Sequence, residues 1–385
     1  METIKDKVAI VGVGYTPQGR VPGRSVKSLQ EEAIRNAIVD AGLTPKDVDG
    51  ILVQPGAGTL LPFELAQDLG IRLRFGANES MMGATAGVMV FHAAAALIYG
   101  LAKAVVCVYG ESGLSHEGAG PGDAPRAFSE NAAYGYLGPT IGYAMAARRA
   151  MHEFGTGPET WKHIAVNQRK WANLNPRAML HDKPMTFEDY YSSRMVVDPF
   201  HLFDICLISD SGRAFVMTTA ERAKDCRHRP VYVMGVGQDH PPTDVVYSHT
   251  MTGPTGAKAS GEAAFRMAGV GLKDVDACEI YDCFTYTIEI TLMDYGFYGR
   301  GGAKDFFSNG RTAPGGAMPV NTSGGQLSEA YQMGFTPLTE AVVQLQGEAG
   351  ARQLGPATNT KSPEIILVSG NGIVLQYHST VILRR

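Results

Sequence analysis

The chain has 385 residues, 44% of them apolar and 19% charged, with a net charge of −4 and five cysteines. That composition predicts two or three globular domains with buried cores and excludes an electrostatic nucleic-acid binder. The cysteines, at 107, 206, 226, 278 and 283, form no C-x-x-C and leave one over, which argues for a reducing compartment rather than a disulfide framework or zinc site.

The opening METIKDKVAIVGVG lacks the basic and apolar regions of a secretory leader, so a soluble cytoplasmic enzyme is expected. VAIVGVG (8–14) reads as a β-branched strand ending in a Gly-rich turn. SLQEEAIRNAIVDAG (28–42) reads as a helix whose capping box starts at Ser28 with Glu31. GILV (50–53) is a buried strand. Residues 87–109 are apolar except for His92 and Lys103, but Gly100 and Lys103 divide them into an Ala-rich helix and a Val-rich strand, each too short to cross a membrane. A helix apolar all round belongs in a central layer covered on both faces. Residues 112–200 are rich in Gly, Pro, aromatic and charged residues and read as an inserted loop domain with two or more helices at about 140–173. ERAKDCRHR (221–229) reads as a solvated helix end and linker.

Past that linker the chain repeats itself. VYVMGVG (231–237) matches VAIVGVG, AGVGLKDVDACEI (268–280) matches AGLTPKDVDGI (41–51), and EIILVSGNG (364–372) loosely matches AVVCVYGES (104–112). Three similar segments in one order indicate a duplication longer than any solenoid unit. Strands alternating with helices in each half predict an α/β protein with parallel sheets. The expected division is 1–111 plus about 200–225 for the N-terminal half, 112–199 for the insertion and 226–385 for the C-terminal half. The G-x-G-x-x-G spacing is missed after Gly14, and no P-loop, H-E-x-x-H or G-x-S-x-G occurs.

Four segments occur together and in order: YSSRMVVDPFHLFDICLISDSGRAFVM (191–217), EIYDCF (279–284), VNTSGGQLSEAYQMG (320–334) and LVSGNGIVLQYHSTVIL (367–383). With AGLTPKDVDGI they resemble the thiolase superfamily, specifically the sterol-carrier-protein-type thiolases and their lipid-transfer-protein-like aldolase relatives, over essentially the whole chain. The resemblance implies a duplicated thiolase-like five-layer αβαβα fold, a tight homodimer and an acyl-CoA substrate. Coenzyme A would be part of the substrate, with no covalently bound cofactor. The resemblance also implies a small zinc-ribbon/OB-fold partner subunit, giving a heterotetramer; Trp161, Trp171 and the loop domain are candidate docking points.

The departures from the family pattern carry the chemistry. The stretch that should hold the nucleophilic cysteine, GANESMMGATAGVMVFHAA (76–94), has none. Tyr281 and Tyr331 stand where the family has two histidines, and the late cysteine loop has become Ser369-Gly370-Asn371-Gly372. Thiolysis needs a thiolate, so the covalent route is closed unless Ser80 or a distant cysteine substitutes. A retro-aldol cleavage of a bulky β-hydroxyacyl-CoA needs only proton movements and a site for the enolate oxygen. Tyr281 and Tyr331 are the expected proton carriers, a pattern that resembles the steroid side-chain-cleaving aldolases, and Asn371 is an expected oxyanion donor. Ser323, Gly324 and Gly325 shape a turn whose N–H groups could serve the thioester oxygen. Cys283, Gly370 and Gly372 line the site, and His378 is a candidate to lower a tyrosine pKa. Two rivals stay open: a CoA-dependent thiolase or acyltransferase acting on a bulky or aromatic β-ketoacyl-CoA, and a non-catalytic acyl-CoA-binding subunit.

Overall fold

A computed structural model describes residues 3–55, 61–115, 133–136, 138–241 and 251–385; much of the Gly-rich tract at 112–139 lies outside these. The first half runs β1 (Val8–Tyr15), α1 (Val26–Asp40), β2 (Gly50–Gln54), α2 (Pro62–Leu69), β3 (Phe75–Asn78), α3 (Thr85–Ile98) and β4 (Ala104–Ser112). Helices α4 (Pro139–Phe154), α5 (Pro158–Ala172) and α6 (Phe187–Ser192) follow, then a small hairpin, β5 (Met195–Val197) and β6 (Phe200–His201). β7 (Asp210–Thr219) and α7 (Ala220–Ala223) come next. The rest is β8 (Val231–Asp239), α8 (Gly256–Ala268), β9 (Ala277–Ile280), α9 (Thr285–Tyr295), α10 (Ala303–Phe307), α11 (Gly325–Ser328), α12 (Phe335–Gln346), β10 (Ile365–Gly372) and β11 (Tyr377–Arg384). Helix α1 starts earlier than its capping pattern indicates: Ser25 is the N-cap, and its hydroxyl accepts from the Ser28 N–H.

Among the described residues nine strands form one sheet in the order β3-β2-β4-β7-β1-β8-β11-β10-β9. Read inward from both ends, β2-β4-β7-β1 is mirrored by β9-β10-β11-β8, and β1 and β8 join the halves through two residue pairs, Ala9–Tyr232 and Ile10–Val231. The flanking position repeats too, since a single parallel bridge from Val320 to Cys278 stands where β3 flanks β2. The sheet is mixed rather than parallel: β7, β1, β8 and β11 all run antiparallel to their neighbours. Only residues 373–376 separate β10 from β11, and so short a link closes a hairpin, not a crossover.

Alternation along the strands builds the layers. Val8, Ile10, Val105 and Cys107 of the first half share one core with Val233, Ile366 and Val381 of the second, around α3 and α12. The intervening Ala9, Val11, Val106 and Val108 pack on α1, and Met234, Leu367 and Ile382 pack with α8. The result is helix, one half of the sheet, paired helices, the other half of the sheet, helix. Helix α3 lies in the middle layer but keeps one open stripe, with Phe91 38% and Tyr99 80% exposed.

The repeated motifs have physical reasons. A Cβ at Gly14 would lie 2.0 Å from the Ala33 carbonyl of α1, and one at Gly237 would lie 1.9 Å from the Ser260 carbonyl of α8. These glycines seat helices directly on strands; they cradle no nucleotide. In each KDVD segment the first aspartate closes a tight turn, Asp47 on the Thr44 N–H and Asp274 on the Gly271 N–H. The second accepts two N–H groups where the neighbouring strand begins: Asp49 from Lys103 and Ala104, Asp276 from Glu364 and Ile365.

One buried ion pair ties the halves together. Arg213 of β7 donates to Glu329 and, at 3.0 Å, to Thr339 of α12, with both ions shut off from solvent. Removing one partner strands the other charge, so Glu329→Gln is expected to cost about 3–5 kcal/mol in chemical denaturation. The apolar double variant Arg213→Met/Glu329→Leu is expected to lose less than either single variant does.

Candidate active site

The N-termini of α3 and α12 meet, and the meeting tolerates no side chains. A Cβ on Gly334 would lie 2.3 Å from the Gly83 carbonyl oxygen, and one on Gly370 2.5 Å from it. A Cβ on Gly83 itself would strike the Tyr281 ring at 2.1 Å. Each helix is preceded by a methionine in the left-handed region, Met82 and Met333, both with φ of 49°. Matching parallel bridges, Met81–Gly83 and Gln332–Gly334, complete the likeness. Non-glycine residues in that conformation store strain, and such strain gathers at functional sites. Ile373, Val374 and Leu375, in the turn beside this junction, also have positive φ.

Tyr281 and Tyr331 come together here. Tyr281 follows β9, anchored by its N–H donating to the Ser369 carbonyl at 2.9 Å. Tyr331 follows α11, its carbonyl accepting from the Ser209 hydroxyl at 2.8 Å. The two hydroxyls lie 3.5 Å apart, and Met333 Sδ is 2.9 Å from that of Tyr331 and 4.0 Å from that of Tyr281. Both phenols are buried. Desolvation is the main force pushing their pKa values well above the ordinary range; each phenol's neighbours include the thiols of Cys206 and Cys283. Glu111 adds a carboxylate that opposes ionisation of Tyr331.

Asn371 is fully buried at the end of β10, and the Tyr143 hydroxyl of α4 donates to its Oδ1 at 2.8 Å. Gly370 and Gly372 let that strand end press on the head of α3; a Cβ on Gly372 would lie 2.6 Å from Met82 Cβ. Cys283 lies in the same cluster, its thiol pushed up to about 12 chiefly by burial. The Ser323–Gly325 turn is used differently from expectation: the Gly324 N–H donates to the Asn321 carbonyl, and the Gly325 N–H to Ser323 Oγ. Asp282 occupies the space beside it and accepts from the N–H groups of Gln326 and Leu327 and from Gln168.

His378 spends both ring nitrogens away from the phenols. Its Nδ1 faces Ser260 Oγ at 2.9 Å and its Nε2 faces Ser369 Oγ at 3.2 Å, and burial lowers its pKa to about 3, keeping the ring neutral. A neutral ring supplies no cation to lower a tyrosine pKa. Ser80 is exposed ahead of α3. Trp161 and Trp171 are fully buried, donating to Glu289 and to the Thr312 carbonyl, so neither indole is presented at the surface for docking. A cavity of about 590 Å³ opens at the far end of α4, lined by Arg149, His152, Arg300 and neighbours, and by neither tyrosine. Sequence reasoning missed Met82, Met333, Gly83 and Tyr143. The Met-Gly pair repeated before each central helix is a signal for the first three; nothing local marks Tyr143.

This fold and this junction define a thiolase-type protein. Residues 237–385 match the family model described as thiolase C-terminal domain-like. The chain is 36% identical over 387 residues to a steroid side-chain-cleaving aldolase of Thermomonospora curvata, covering 97% of both. It is 33% identical to the 17-hydroxy-3-oxo-4-pregnene-20-carboxyl-CoA lyase of Mycobacterium tuberculosis, covering 96% of this chain and 98% of that protein. A solved structure described as the Ltp2-ChsH2(DUF35) aldolase superposes with a TM-score of 0.90 at 34% identity, covering 100% of this chain and 99% of that one. The chain belongs to the thiolase superfamily, in its sterol-carrier-protein-type thiolase and aldolase branch. Among the described residues no group of three or more His, Cys, Asp or Glu is placed to hold a metal, and no helix is long and apolar enough to cross a membrane.

Burial raises Asp282 to about 7, whereas an unfolded aspartate titrates at about 4. As pH rises between these values the unfolded chain sheds its proton first, so this group lowers stability progressively, and fully above the higher value. In pH-dependent denaturation the stability difference between Asp282→Asn and the parent is expected to move in the variant's favour by on the order of 2–4 kcal/mol between about pH 4 and 7. The high pKa of Cys283 also predicts that iodoacetamide at about pH 8 leaves it unmodified in the folded protein, as read by peptide mass mapping.

Proposed function

We propose that this protein is a carbon–carbon lyase that cleaves a bulky β-hydroxyacyl-CoA by a retro-aldol reaction, giving a ketone or aldehyde and a shorter acyl-CoA. The observation that carries this reading is the pair of buried phenols at the head of the two central helices, with a methionine rather than a cysteine leading α3. The activities named for the T. curvata and M. tuberculosis relatives support it, and the pregnene-carboxyl-CoA named for the second supports a bulky acyl group. Coenzyme A enters as part of the substrate, and the reaction is redox-neutral.

As the Cα–Cβ bond breaks, the β-hydroxyl proton passes to one phenol oxygen while that phenol hands its own proton to the second, so neither oxygen ever carries two protons. The bond's electron pair becomes the enolate on the thioester oxygen, and the ketone leaves. In the same relay the second phenol gives its own proton to Cα, which leaves both phenols neutral at the end. Since burial holds both phenols neutral, a relay between neutral hydroxyls fits the site better than a resting phenolate. Asn371 faces the enolate oxygen as its donor. Cys283, Gly370 and Gly372 line the site, Ser323, Gly324 and Gly325 shape its floor, and His378 braces the strands behind it.

The same reading makes the protein a homodimer joined to a small zinc-ribbon/OB-fold partner as a heterotetramer. The open edge of β3, the exposed Phe91–Tyr99 stripe and the two-component name of the similar structure support that assembly. The division into two halves with 112–199 inserted, and a cytoplasmic setting suited to five unpaired cysteines, belong to it as well.

Tyr281→Phe and Tyr331→Phe are each expected to lower kcat by about 10²–10⁴-fold. Products from branched and aromatic β-hydroxyacyl- and β-ketoacyl-CoAs, followed by mass spectrometry, are expected to form without free CoA. Two acyl-CoAs formed only when CoA is added would overturn the lyase and leave a thiolase. The wild-type rate is expected to show no loss from tyrosine ionisation up to about pH 9.5, below even an ordinary tyrosine pKa.

A further inference from the structure

Asn371 Nδ2 is buried and has no hydrogen-bond partner among the described residues, and the whole residue is shut off from solvent. A buried amide donor left unmet is a standing cost, and the proposed reaction needs such a donor for its enolate oxygen. The other end of the same amide is engaged, because the Tyr143 hydroxyl donates to Oδ1 at 2.8 Å. Oδ1 and Nδ2 differ by a half-turn of the side-chain amide, so whatever fixes one aims the other.

Tyr143 is itself held firmly. Its ring packs on Phe284 with centroids 4.6 Å apart, and its hydroxyl interacts with the Cys283 thiol. It also lies within electrostatic reach of Tyr281 and Tyr331. The Asn371 backbone oxygen and the Tyr281 ring converge on the same point above Gly83, and the hydroxyl that holds the amide is the one within reach of both phenols. Burial raises the Tyr143 pKa well above the ordinary range, so its hydroxyl keeps the proton that it gives to Oδ1.

We infer that Tyr143 is a positioning residue: it holds the Asn371 amide so that Nδ2 donates to the thioester oxygen of an acyl-CoA as negative charge gathers there in the enolate. This rests on the proposed enolate chemistry but adds a residue from the inserted helix α4. The oxyanion donor is thereby set by the seating of α4 against β10, not by β10 alone.

The test is exchange of the α-hydrogens of acetyl-CoA and propionyl-CoA in D2O, followed by NMR and mass spectrometry on the full-length protein. Exchange reads enolate formation alone, so it is separable from the lyase-versus-thiolase question, which products from the longer substrates decide. Tyr143→Phe keeps the ring against Phe284 and is expected to slow exchange about tenfold with KM little changed, and Asn371→Ala to slow it about 10²-fold. The double variant is expected to match Asn371→Ala, because Tyr143 acts only through that amide. Unchanged unfolding midpoints for Tyr143→Phe would separate lost aim from lost fold and support the inference. Tyr143→Phe exchanging at the parent rate, losses that multiply in the double variant, a midpoint drop matching the loss of exchange, or a parent enzyme that exchanges neither thioester would each overturn it.

Discussion

The junction of the two central helices is the constraint on which the rest of the structure depends. The Gly83 carbonyl occupies space that a Cβ at Gly334 or at Gly370 would need, and the Tyr281 ring occupies the space of a Cβ at Gly83. Protein interiors are too densely packed to absorb such overlaps. Four chain segments, from both halves, therefore close on one point, and three of them must be bare glycine there. The strained methionines before α3 and α12 follow from the same closeness, because each chain has to turn sharply to bring its helix to the junction.

The duplication makes the two helix heads alike in backbone and leaves them free to differ in side chains. Tyr331 stands three residues before Gly334, and the matching residue before Gly83 is Ser80, which is exposed. Polar networks then fix each half against the other. Asp282 holds the start of α11, which leads directly to Glu329 and Tyr331, and Glu329 is locked to Arg213 in β7 of the opposite half. A shift of Tyr331 would have to break a buried ion pair, which is a stiff mounting for one half of a two-phenol site.

The duplication and the layered α/β plan were legible because they rest on local patterns: the GVG strand ends, the KDVD turns and the helices between them. The direction of the middle strands was not, since alternating strands and helices read as parallel, while residues 373–376 leave room only for a hairpin. Of the site, the tyrosines could be read from what they replace. Tyr143 could not, for it stands 228 residues before the amide it touches and belongs to an ordinary helical pattern. His378 shows the opposite failure: a lone histidine after the Asn371 loop invites a catalytic role, yet two serines take both of its nitrogens.

The burial suits the proposed use of phenols in place of imidazoles. The desolvation that drives His378 to about 3 would hold an imidazole at the junction neutral as well. An imidazole that takes a proton becomes a cation, which a dry site disfavours. A phenol donates and accepts through one oxygen, so two phenols 3.5 Å apart can pass protons in concert, each taking one as it gives one, with little motion and no net charge. Thiolysis needs a charged nucleophile and therefore a site that stabilises ions. A retro-aldol step returns its proton to the same substrate, and a dry site lined by neutral donors suits it, with the developing enolate the one charge to be met.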